Sequence, residues 1–144
     1  MHIRYDVVSA PRANPWLLAL LVVVALAACD RFNQASIVVT TRGMSLAEVE
    51  ALEKTLMDLL AEQGSDCLLQ PAAPGAQIFS HDCAISGTGI SLNYSRSPDS
   101  LVLLLSSISD GFKPEPATFR EARTAIERGL IEAAGADRVE VRLD

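Results

Sequence analysis

His81 and Cys83 stand two residues apart, the spacing that puts two side chains on one face of a strand, and an imidazole beside a thiol can generate a thiolate nucleophile. No oxyanion loop and no orienting third residue accompany them, so the pattern falls short of a catalytic site. Ser80, His81 and Asp82 are the residue types of a hydrolase triad, but neighbours in an extended chain point to opposite faces and cannot relay a proton in line. His81, Asp82, Cys83 and Cys67 could together ligate a metal, yet neither cysteine belongs to a Cys-x-x-Cys pair and no histidine other than His81 follows residue 28. Gly87 and Gly89 have the look of a phosphate loop, but no lysine follows them and no helix starts there, so a turn between strands is expected. The sequence therefore names no catalytic, cofactor-binding or metal-ligating residue.

The third cysteine has a different setting. Residues 1–15 carry His2, Arg4 and Arg12 against Asp6 alone, and they lead into an uncharged apolar run over residues 16–28. A basic segment followed by a short apolar one is the pattern of a secretory signal, and the run is too short for a spanning helix of about 20 residues. It ends in Leu26, Ala27, Ala28 and Cys29. These four positions resemble the lipobox of bacterial lipoprotein precursors: an aliphatic residue, two small residues and a cysteine. The resemblance covers about the first thirty residues. It implies thioether attachment of a diacylglycerol to Cys29, cleavage before it, and acylation of the new terminus. Two or three acyl chains hold a protein firmly, at about 0.8 kcal/mol per buried methylene, so the mature chain would be anchored to the cell envelope and face the periplasm. Asp30 resembles the inner-membrane retention signal of enterobacterial lipoproteins, with the outer membrane as the alternative. Residues 30–35 read as a tether reaching at most about 20 Å. With Cys29 assigned to lipid, Cys67 and Cys83 are an even pair in an oxidising compartment and are expected to form a disulfide.

Cleavage there would leave 116 of the 144 residues and take the net charge from −6 to −7, by removing two arginines and one aspartate. That length suits one domain with a real core, and that sign argues against a nucleic-acid backbone as partner. The composition, 49% hydrophobic and 21% charged, also excludes a disordered chain.

The elements follow from periodicity. Residues 36–42 are rich in β-branched side chains and read as a strand ended by Gly43. Ser45 and Glu48 form a capping box. Leu46, Val49, Leu52, Leu56, Leu59 and Leu60 then recur at helical spacing, with Glu50, Glu53, Lys54 and Asp58 expected on the solvent side and Gly64 as the stop. Short strands are expected at 66–70 and at about 77–84, separated by a proline-rich turn, and another at 90–95 with Ile90, Leu92 and Tyr94 facing inward. Residues 101–105 are apolar throughout, which predicts burial on both faces or a central place beside a partner. Phe119, Ala122, Ile126, Leu130 and Ala133 mark a second helix, with Arg123/Glu127 and Arg128/Glu132 as surface pairs, and residues 138–144 alternate as a last strand.

The expected fold is α+β: a mainly antiparallel sheet with two helices on one face, in an element order that resembles the ferredoxin-like split βαβ arrangement with extra strands. Residues 1–28 would be the signal peptide, 29–35 the lipidated tether and 36–144 the domain. Leu101, Leu103, Leu105 and Phe112 are the expected contact residues for another envelope protein. The function read from these features is a non-catalytic binding or assembly lipoprotein. The alternatives are an envelope thiol-dependent enzyme using Cys83 and His81, or a binder of a small ligand or lipid.

Overall fold

The computed structural model describes residues 30–68, 79–110 and 114–143. Cys29 and the rest of the lipobox, the proline-rich turn and Phe112 lie outside them, as do the side chains of Phe79, Ser80 and Asp110.

β1 (Asp30–Thr40) starts at Asp30 instead of residue 36. Residues 30–35 were expected as a tether because they lack β-branched side chains. They pair in full with β4 (Ser100–Asp110), from Asp30 opposite Asp110 to Thr40 opposite Ser100. A long partner strand thus overrides weak local propensity. No tether intervenes between Cys29 and the sheet.

α1 (Leu46–Glu62) begins with the expected capping box. The Glu48 N–H donates to Ser45 Oγ at 3.3 Å and the Ser45 N–H donates to Glu48 Oε2 at 2.6 Å. The Ser45 backbone N–H, and after it the hydroxyl, hold the Glu48 carboxyl below its usual pKa. Leu52, Leu56 and Leu60 are buried, while Leu46 in the first turn is exposed. Gly64, at φ 79°, turns the chain out of the helix.

The strand expected at 66–70 is reduced, among the described residues, to a single bridge between Ser65 and Ile85. The Asp66 N–H donates to the Ala84 carbonyl at 3.0 Å, and the Asp66 carboxylate then accepts from the Ala84 N–H at 2.6 Å. A side chain takes the place of the next backbone acceptor, and the ladder stops. β2 (Phe79–Ile85) and β3 (Ile90–Arg96) form a hairpin, followed by β4. α2 (Ala117–Ala134) and β5 (Val139–Leu143) complete the chain.

The five strands are antiparallel in the order β2-β3-β4-β1-β5. The core combines the inward residues of β1, β3 and β4 with Leu52, Leu56 and Leu60 of α1 and Phe119, Ala122, Ile126 and Leu130 of α2. The fold is therefore α+β, with both helices packed on one face. Gly129 allows their close approach, since a Cβ there would meet Leu59 Cδ2 at 2.5 Å. Ala133 is exposed, and Ala134 packs against the core instead. Arg123 pairs with Glu115 at 2.5 Å, not with Glu127 one turn on.

Leu101, Leu103 and Leu105 lie in the middle strand and are at most 1% exposed beneath the helices. They cannot be the contact residues expected of them. The uniform apolar run hid an ordinary alternation, in which Val102 and Leu104 are half-buried on the opposite face.

Candidate functional site

The chemistry-bearing residues are divided between the two faces of the sheet. β2 and β3 place Cys83 opposite Leu92 and His81 opposite Tyr94, on the helix-covered face. Asp82 lies opposite Asn93 on the other face and accepts a hydrogen bond from Asn93 Nδ2 at 2.6 Å. His81 and Asp82 thus point to opposite faces of the strand, which separates these two triad types.

Cys83 is half-buried and joined to buried Cys67 by a disulfide with a Cα–Cα separation of 5.1 Å. That separation lies within the ordinary range for such bonds. Asp66 brings a carboxylate within 4.8 Å of both sulfurs. Sulfurs bonded to each other do not present a pair of thiolates, and Asp66 already accepts from the Ala84 N–H. The bridge fastens the end of α1 to an edge strand.

A second cluster sits deeper. Glu53, expected on the solvent side of α1, is 5% exposed. The Tyr94 hydroxyl donates to its Oε1, and Arg96 Nη1 donates to Oε1 at 3.1 Å and Oε2 at 2.9 Å. Burial, and after it the hydrogen bond to Glu53, push the Tyr94 phenol well above its usual pKa. The phenol is thus a fixed donor, not a nucleophile or general base. The cluster ties α1 to β3 across the core. The signal for it was present in the sequence: an inward tyrosine on a strand needs a partner for its hydroxyl, and Arg96 stands two residues on, on the same face.

The opposite face has no helix over it among the described residues. In register along the β1–β4 ladder it presents Asp30 and the pairs Phe32/Ile108, Gln34/Ser106, Ser36/Leu104, Val38/Val102 and Thr40/Ser100. Val38, Val102 and Leu104 are half-buried and make a shallow apolar centre, flanked by Ser91, Asn93 and Ser95 of β3 and by Glu140 and Arg142 of β5. Arg142 holds the Glu140 carboxyl below its usual pKa through their hydrogen bond. Phe32 and Ile108, the apolar pair nearest the start of β1, are 58% and 67% exposed. Among the described residues this face is open and carries no convergent set of acid, base and nucleophile.

Two open hollows lie elsewhere. One of about 230 Å³ is bounded by Met44, Glu48, Thr55 and Ala133, and one of about 210 Å³ by Arg31, Glu115, Arg123 and Leu143. Both fall below the range of about 300–1,000 Å³ usual for small-molecule sites. Among the described residues, no helix is long and apolar enough to cross a membrane. No protein-family model matches the sequence, and no curated protein is significantly similar to it.

Proposed function

We propose that the chain is an envelope lipoprotein, anchored to the membrane through Cys29, whose domain is a non-catalytic binding or assembly module for another envelope protein. The observation that carries this reading is the lipobox of Leu26, Ala27, Ala28 and Cys29 after a basic and then an apolar segment, with a folded strand beginning at the next residue, Asp30. The inner membrane is the destination that Asp30 favours.

The layout supports a binding role. The bare sheet face around Val38, Val102 and Leu104 takes over the partner contact first assigned to Leu101, Leu103 and Leu105, and a central apolar patch with a polar rim is the usual anatomy of such a contact. The succession β5-β1-β4-β3 with two helices on one face supports the ferredoxin-like reading, with β2 added at the edge. The thiol-enzyme alternative is weakened by the Cys67–Cys83 bond.

The test is the intact mass of the full chain extracted from bacterial membranes, with and without reduction and alkylation. Loss of residues 1–28, added acyl chains and no free thiol are expected. An unlipidated mass would end the anchor reading. Purified lipidated protein that pulled down no envelope protein through an intact bare face, relative to a Leu104→Asp variant, would end the assembly reading.

A further inference from the structure

Phe32 and Ile108 have no evident part in folding. They face each other on the uncovered side of the sheet, with Asp30 towards the tip and Gln34/Ser106 further in, and both are largely exposed. Moving this aromatic–aliphatic pair out of water would be favourable in proportion to the apolar area it exposes. Its position gives it a neighbour. β1 starts one residue after Cys29, and at about 3.3 Å per residue Phe32 lies about 10 Å from the lipidated position. The layer between hydrocarbon and water is about 5–8 Å deep on each side of a bilayer, and interfacial segments bury apolar side chains about 5–10 Å into that boundary. A strand that leaves the anchor with no intervening tether cannot carry Phe32 far from this layer.

We infer that Phe32 and Ile108 rest in the interfacial layer of the membrane that holds Cys29. The inference rests on the lipid-anchor reading and goes beyond it by fixing which end and which face of the domain meet the lipid. The partner is a lipid surface recognised by apolar contact and not by charge, because the exposed charges described at this tip, those of Asp30 and Arg31, are of opposite sign. Contact is therefore expected on zwitterionic as well as anionic membranes. The domain would stand on its β1–β4 end, with Val38, Val102 and Leu104 held clear of the lipid for a protein partner.

The chain suits a direct test because its one tryptophan, Trp16, lies in the segment removed on maturation. The full chain would be produced as Phe32→Trp, Ile108→Trp or Thr40→Trp, the last at the far end of β1 on the same face. Each lipidated product would be purified and placed in phosphatidylcholine vesicles containing brominated acyl chains. F32W and I108W fluorescence is expected to be blue-shifted and quenched several-fold more than that of T40W, with unchanged thermal unfolding and no dependence on protein concentration. Equal quenching at the three positions, with lipid on Cys29 shown by mass, would overturn the inference and leave the anchor reading intact. A blue shift that grows with protein concentration and is not quenched would show that a second copy covers the pair, and would overturn it too. Absence of lipid on Cys29 would remove the anchor reading and this inference together.

Discussion

The two faces of the sheet treat the same residue types in opposite ways. On the helix-covered face every group with chemical potential that the structure pairs is committed to holding the fold: Cys83 to Cys67, and Glu53 to Tyr94 and Arg96. On the bare face, Phe32, Val102, Leu104 and Ile108 lie between serines, Asn93 and Gln34, and none of them belongs to the buried core. The covered face has the composition of an active site without an open one, and the bare face is accessible without acid–base machinery. This contrast supports the proposal that the domain acts at a surface, by contact.

The comparison breaks most simply within one strand. Leu103 and Leu104 are neighbours in β4 but point to opposite faces. Leu103→Ala opens a cavity beneath the helices and is expected to cost about 3–4 kcal/mol in denaturant unfolding, whereas Leu104→Ala is expected to cost about 1 kcal/mol or less. Equal losses would mean that the bare face is covered by something that stabilises the fold.

The covered face can be probed at its polar contacts. Glu53→Ala leaves the Tyr94 hydroxyl and the partly buried Arg96 guanidinium without their acceptor, an expected loss of about 3 kcal/mol. A loss below about 1 kcal/mol would show that Arg96 relaxes to water and that the cluster does little to fasten α1. Reduction of Cys67–Cys83 releases a loop whose ends are 16 positions apart, for which the chain-entropy argument gives about 3 kcal/mol. Unfolding midpoints with and without reductant measure it. An unchanged midpoint would mean that the Asp66–Ala84 hydrogen bonds already hold this edge.

How much of this was legible in the sequence depended on how local its causes are. α1 was legible because its capping box and apolar spacing lie within the helix, and the disulfide because two cysteines remained once Cys29 was assigned. The first half of β1 was not, because Phe32, Asn33, Gln34 and Ala35 become a strand through pairing with residues seventy or more positions away. Glu53 was misplaced for the same reason. Its partners are 41 and 43 residues distant, and a charged residue bordering an apolar helical stripe reads as solvated until they are known. In residues 101–105 the local pattern itself was uninformative, since five apolar side chains in a row conceal which three face the core.

Tyr94 allows the finest test, because the chain's other tyrosine, Tyr5, lies in the segment that the proposed processing would remove. Its phenol has an ordinary pKa of 10.0 and is raised in the fold by burial and by Glu53. The native state therefore keeps a proton that the unfolded chain releases. Below pH 10 both states hold it and its contribution to stability is constant. Above pH 10 the unfolded state gains by ionising, and stability falls by up to about 1.4 kcal/mol per pH unit from this group alone. Phenolate absorbance should rise near pH 10 in denaturant but not in the native protein. Tyr94→Phe should lower stability at neutral pH by about 1.5 kcal/mol and flatten that part of the alkaline decline. A native phenol that titrates in the ordinary range would mean that solvent reaches the Glu53 cluster, and that the covered face is more open than its packing indicates.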